Sequence, residues 1–159
     1  LDVGCGEEAS LVKTLSPHVQ SVTGMDVRVT PWEQDNMKVI QGSFDAVPLP
    51  FPDQSFDCIT LLAVLEHLNH REALIREIYR VLRPGGTLVL TVPTWGAKPV
   101  LEFLAFRLRI VSEEGVREHK TYFWKDELKK TMQNGGFLPS NTKVNYFECG
   151  FNLSAIAKK

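Results

Sequence analysis

The chain of 159 residues is of single-domain length, and 43% hydrophobic with 23% charged residues is the balance of a soluble globular protein. A formal net charge of -1 excludes the general cationic field that draws nucleic acid or an acidic membrane surface. No apolar run is long enough to span a bilayer, and Cys5, Cys58 and Cys149 show neither zinc spacing nor a disulfide framework, which favours a reducing, cytoplasmic setting.

The chain opens inside a strand, Leu1-Asp2-Val3, so an N-terminal segment of a longer protein is expected to be missing. Gly4-Cys5-Gly6 follows as a glycine turn, and Glu7 to Leu15 reads as a helix ended by Ser16-Pro17. Strand, glycine turn and helix together bring a backbone close to a nucleotide-like ligand, with free helix N–H groups aimed at it. Val19 to Asp26 is a second strand that ends in an acid, Pro31 to Asn36 reads as loop or short helical turn, and Met37 to Gln41 is a third strand. Pro48 to Asp53 is a proline-stiffened loop. Phe56 to Leu62 is an apolar run with β-branched residues, the pattern of a central strand buried on both faces.

Asn69 to Leu82 carries the clearest helical stripe, Leu74, Ile75, Ile78, Tyr79 and Leu82, with Asn69 and Glu72 spaced as a capping box. Pro84-Gly85-Gly86 stops it before a strand from Thr87 to Val92. Beyond Pro93 the pattern changes: residues 93–120 read as an insert holding an apolar helix, Val100 to Val111. A short helix, Asp126 to Gln133, precedes two strands near Thr142 to Phe147 and Phe151 to Ala157. Strands alternating with helices imply an α/β fold with a parallel, doubly wound sheet covered on both faces.

In such sheets ligands bind at the carboxyl ends of the strands. Gly6, Asp26 and Gly42-Ser43-Phe44-Asp45 all fall at such ends, and an acid after the second strand is placed to accept hydrogen bonds from ribose hydroxyls. The Gly-x-Gly-x-x-Gly of dinucleotide enzymes is not met, because positions 8 and 9 are Glu and Ala, and this argues against a nicotinamide dehydrogenase.

The set Leu1-Asp2-Val3-Gly4-Cys5-Gly6, Gly24-Met25-Asp26, Leu49 to Asp57, Val64-Leu65-Glu66-His67 and Arg80 to Gly86, followed by His119, Tyr122-Phe123 and Gly135-Gly136-Phe137, resembles class I S-adenosylmethionine-dependent methyltransferases of the type 11 kind. The resemblance implies a Rossmann-like seven-stranded sheet with its last strand antiparallel. It implies S-adenosylmethionine as cofactor and S-adenosylhomocysteine as product. Asp2, Gly4, Cys5 and Gly6 would line the methionine half, Asp26 the ribose, and Val27, Ser43, Phe44 and Asp45 the adenine. Leu61 and Leu62 would face the sulfonium. Candidate bases are His67, then His119 with Tyr122.

Two departures stand out. Glu8 replaces the third glycine of the usual first loop, and the loop between Gly42 and Pro50 is longer than usual. A metal-binding subset of the family reads Glu-x-x-Glu-His, but here the frame is Ala63-Val64-Leu65-Glu66-His67, so no metal is expected. The expected function is methyl transfer to a small-molecule acceptor, without nucleic acid and with oligomeric state left open. A catalytically degenerate cofactor binder is the alternative motivated by Glu8, and a partner-binding surface around Trp95 and Trp124 is a third.

Overall fold

The structure, a computed structural model, describes residues 1–44, 48–99 and 121–159. Asp45, His119 and the expected helix Val100 to Val111 lie outside the described residues.

The strands form one sheet of β1 (Asp2–Val3), β2 (Val22–Asp26), β3 (Trp32–Gln34), β4 (Met37–Gln41), β5 (Phe56–Leu62), β6 (Leu82–Pro93), β7 (Thr142–Phe147) and β8 (Asn152–Lys158), in the order β3-β4-β2-β1-β5-β6-β8-β7. The five strands from β4 to β6 run parallel, and β8 lies antiparallel between β6 and β7. The sheet therefore has eight strands, one more than expected. The extra one is β3, antiparallel to β4, in a stretch whose sequence reads as loop or helical turn. Its three residues pair through Asp35, which takes a left-handed φ of 53° and turns the chain back into β4.

Alternation along the strands sorts side chains between two faces. Val22 and Val39 join Ala9, Val12 and Val29 beneath α1 (Ser10–Leu15). Val3, Met25, Ile59, Leu61, Leu88, Leu90, Leu153 and Ala155 join the main core with α2 (Arg71–Val81) and α3 (Lys125–Asn134). The β5 strand is not buried on both faces: Ile59 and Leu61 are fully covered, while Cys58 and Leu62 on the opposite face are exposed. On β8, Ile156 of that same face is 47% exposed.

Helix α2 begins at Arg71 with His70 before it and no side-chain cap, so the Asn69–Glu72 capping box does not form. Glu72 instead accepts a hydrogen bond from Asn134 Nδ2 at 2.6 Å, tying α2 to the end of α3. The proline loop is fastened by a single guanidinium. Arg80 donates to the carbonyls of Leu49 and Phe51 and to Glu77 and Asp53, and Glu77 also accepts the Leu49 N–H. These bonds hold the Glu77 carboxyl below its ordinary range.

Helices α2 and α3 approach closely at Gly135, where an added Cβ would lie 2.1 Å from Ile75 Cγ2 and 2.7 Å from Ile75 Cβ. Because Ile75 is branched at that carbon, its side chain has no room to yield. Gly135→Ala should therefore cost about 1–3 kcal/mol in urea unfolding. The same change in an Ile75→Leu background, which removes the offending methyl, should cost measurably less.

Candidate functional site at the carboxyl edge of the sheet

The loops after β1, β2, β4 and β5 meet along one edge. Gly4 and Cys5 N–H groups both reach the Met25 carbonyl, at 2.7 and 3.2 Å, so the first loop folds over the end of β2. Gly6 N–H then donates to Asp26 Oδ2 at 2.9 Å, and Arg28 N–H donates to Asp26 Oδ1 at 3.0 Å. One carboxylate thus bridges two loops, each oxygen keeping lone-pair capacity for a further donor. Asp26 is only 4% exposed, and its backbone carbonyl accepts from Gly42 N–H at 3.0 Å, which draws the loop after β4 to the same point.

Gly4 has φ +81°, and a Cβ there would sit 2.2 Å from Val64 Cγ2, so this position needs glycine twice over. The contact also locks the first loop against the turn after β5. Beside Gly6 a Cβ would meet no atom within 4 Å, so the first loop borders open space. Glu8 is exposed and forms no part of that contact. Ala9, which closes the loop after β1, and Ala63, which opens the loop after β5, hold left-handed φ values of 45° and 53°. Such backbone strain in non-glycine residues concentrates where ligands bind.

The remaining expected residues divide. Val27, at 44% exposure, and Leu62, at 38%, face outward at the edge, and Ser43 is exposed with Phe44 half-buried beside it. Leu61 is fully buried in the core under α2, so it sits behind the edge and presents no side chain to it. Asp2 is buried beneath the first loop, where its carboxylate accepts from Thr60 Oγ1 at 2.6 Å and is raised in pKa mainly by burial. Burial, reinforced by Asp2 and Asp26, pushes the Cys5 thiol up to about 11, which keeps it protonated and poorly nucleophilic.

His67 closes the 3-10 turn Leu65–His67 directly after β5. Tyr122 is buried, with its ring 5.8 Å from Trp95. It belongs to a short segment held alongside β6 by Phe123 N–H to Pro93 O at 3.0 Å and joined to the β5 turn by Thr121 N–H to Glu66 O at 3.2 Å. His67 and Tyr122 are therefore brought to one neighbourhood.

Glu66 is the residue whose importance the sequence conceals. It is 1% exposed, its Oε2 has no hydrogen-bond partner among the described residues, and burial pushes its carboxyl up to about 7. Its place between Leu65 and Leu68 was the available signal.

A separate groove of about 400 Å³ lies elsewhere, lined by Leu1, Asp2, Val22, Cys58, Thr60 and Arg83. It opens at the amino-terminal ends of the strands and shares no loop with the Asp26 clasp, so the carboxyl edge is the better ligand site.

Residues 1–90 match the family described as Methyltransferase domain, which is more than half of the chain. The chain belongs to the class I S-adenosylmethionine-dependent methyltransferase family. Over 141 residues it is 33% identical to a ubiquinone/menaquinone biosynthesis C-methyltransferase of Citrobacter koseri, covering 76% of this chain and 50% of that protein. Over 99 residues it is 34% identical to the 27-O-demethylrifamycin SV methyltransferase of Amycolatopsis mediterranei, covering 57% of this chain and 36% of that protein. The chain thus spans half or less of the length of these two relatives. The fold is shared with the Haemonchus contortus phosphoethanolamine N-methyltransferase 2 solved with S-adenosylhomocysteine, at TM-score 0.68 and 14% identity over 99% of this chain and 48% of that one.

The Glu66 carboxyl carries a pH signature. Its folded pKa lies above the ordinary 4.5, so between about 4.5 and 7 the native state holds a proton that the unfolded state has lost. Its contribution to stability therefore falls as pH rises through that window. Glu66→Gln should escape this loss, and the stability difference between variant and wild type should shift toward the variant by up to about 3 kcal/mol between pH 4.5 and 8 in urea unfolding. A difference that stays constant with pH would show that Glu66 ionises normally.

Proposed function

We propose that this chain transfers a methyl group from S-adenosylmethionine to a small-molecule acceptor by in-line displacement. The observation that carries the reading is the Asp26 carboxylate, held by Gly6 N–H and Arg28 N–H at the carboxyl edge with capacity left for two hydroxyls. A cis-diol is the natural occupant of such a group.

The residues present fit the cofactor. Asp26 takes the ribose, Val27, Ser43 and Phe44 border the adenine, and Gly4, Cys5 and Gly6 line the methionine half. Asp45 would join the adenine contacts. Leu62 faces the sulfonium side, whereas Leu61 acts by filling the core beneath it. Asp2 supports the first loop from below through Thr60. When bound, the cofactor supplies an activated methyl group, so the protein mainly contributes alignment and exclusion of water.

An acceptor that must lose a proton needs a base nearby. His67 is our first candidate and His119 with Tyr122 the second, on the ground that His67 and Tyr122 flank the same turn. The relatives named for quinone and rifamycin substrates support an organic small molecule as acceptor. A net charge of -1 supports a site without nucleic acid, and three cysteines without disulfides fit a reducing cytoplasm.

Calorimetric titration with S-adenosylhomocysteine should show binding, and NAD should show none. Asp26→Asn should weaken S-adenosylhomocysteine at least tenfold, about 1.4 kcal/mol. Unchanged affinity in that variant would remove Asp26 from the site. Because Glu8 points into solvent, Glu8→Gly should change the affinity by less than about threefold, within the 0.5 kcal/mol scatter of surface substitutions. A large gain would instead favour a binding site degraded by that acid.

A further inference from the structure

The two glycines of the first loop have different surroundings. A side chain at Gly6 would meet open space, whereas the space beside Gly4 is already filled. A Cβ on Gly4 would lie 2.2 Å from Val64 Cγ2, 3.4 Å from Val64 Cβ and 3.5 Å from Val64 Cγ1. The isopropyl group of Val64 thus stands where a side chain of residue 4 would be. Gly4 holds φ +81°, a conformation that an unrestrained glycine exchanges freely with others. Because β1 lies between β2 and β5, the loop after it is flanked by both strands. It is fastened to β2 by the Gly4 and Cys5 N–H groups at the Met25 carbonyl, and it rests against Val64 just beyond β5.

Val64 is built as a rigid support. It is 6% exposed, and its branch at Cβ leaves the side chain little rotational freedom. Its turn is pinned along its length: Ala63 N–H donates to the Thr91 carbonyl at 3.1 Å, His67 N–H to the Val64 carbonyl at 3.0 Å, and Thr121 N–H to the Glu66 carbonyl at 3.2 Å. Val64 also belongs to the main core, yet at Gly4 its neighbour is loop backbone. Truncating it therefore frees a glycine as well as opening a cavity.

We propose that Val64 is a positioning residue for the cofactor, an inference that rests on the cofactor reading above. It acts through Gly4. By filling the space beside that residue it holds the first loop, including the Gly6 N–H that reaches Asp26, in the shape that receives the methionine half. The same contact sets the distance between that loop and the end of β5, where Leu62 and His67 flank Val64 in the chain. Alignment of donor and acceptor in an in-line displacement depends on such spacing.

The test compares two valines of one core. Val64 and Val144 are 6% and 5% exposed, and Val144 lies on β7 at the far edge of the sheet. Val64→Ala and Val144→Ala remove the same two methyl groups, so both should lower the urea midpoint. Only Val64→Ala should weaken S-adenosylhomocysteine in calorimetric titration, by about tenfold, the cost of fixing one residue's backbone on binding. Only Val64→Ala should speed amide hydrogen exchange at Gly4, Cys5 and Gly6. Val64→Leu keeps the core filled but removes the branch at Cβ, and should weaken binding in the same way even if the alanine variant fails to fold. Val64→Thr restores the branched shape, and should bind nearly as wild type although its buried hydroxyl lowers stability. Wild-type affinity in Val64→Ala and Val64→Leu overturns the proposal. So does an equal loss in Val64→Ala and Val144→Ala, or in Val64→Ala and Val64→Thr, because affinity then follows stability. These results leave the cofactor reading intact, whereas wild type that binds no S-adenosylhomocysteine overturns that reading and this inference with it.

Discussion

The Asp26 carboxylate holds the edge of this sheet together. Twenty residues separate it from Gly6, and the 2.9 Å bond between them closes the first loop over the end of β2. The second oxygen fixes the start of the next loop through Arg28 N–H, and the Asp26 carbonyl takes Gly42 N–H from a third. A buried carboxylate is costly unless it is hydrogen-bonded, and here the partners are backbone donors from the loops that would surround a ligand. The same group that orders the loops keeps a lone pair on each oxygen for a further donor. Lose the carboxylate, and the loops lose both their common anchor and the acceptor they frame.

The rest of the fold positions that clasp. Gly24, two residues before Asp26 on the same strand, lets Val12 and Cys5 pack against β2 where a Cβ would come within 2.8 Å of Val12 and 2.9 Å of the Cys5 sulfur. This fixes α1 and the first loop relative to the sheet. On the opposite face the deep core carries α2 and α3, and the Arg80 network ties the proline loop to α2. The Lys159 ammonium secures the same C-terminal end of that helix by donating to the carbonyls of Tyr79, Arg80 and Leu82. These contacts satisfy carbonyls that a helix end leaves without internal partners. The turn bearing Glu66 and His67 is thus held between a rigid helix and the first loop.

Much of this was legible in the residues. The periods of β4 and β5 fixed their limits because apolar, β-branched runs ended at glycine, proline or a turn. Asp26 was legible because an acid ending a buried strand requires partners. What failed depended on tertiary context. Trp32 to Gln34 has the polar composition of a loop, and it becomes a strand only because β4 offers an open edge. The Asn69–Glu72 spacing satisfies a capping box, yet Asn134 competes successfully for the Glu72 carboxylate. Glu7 and Glu8 read as helix, but the left-handed Ala9 delays α1 until Ser10. Leu61 and Leu62 look equivalent in sequence; strand alternation sends one into the core and the other to the edge. Glu66 has no local signature of burial beyond its apolar neighbours, and its carbonyl is tied to Thr121, 55 residues away in the chain.

The central claim is that the loops joined by Asp26 receive the cofactor. The most direct measurement is a titration of the isotope-labelled chain with S-adenosylhomocysteine, followed through its backbone amide resonances. The account predicts that Gly6, Arg28 and Gly42, whose N–H groups converge on Asp26, move together and saturate at one ligand concentration. Shifts confined to Ser21, Val22, Cys58 and Thr60, around the groove at the amino-terminal ends of the strands, with the three clasp amides unmoved, would contradict it.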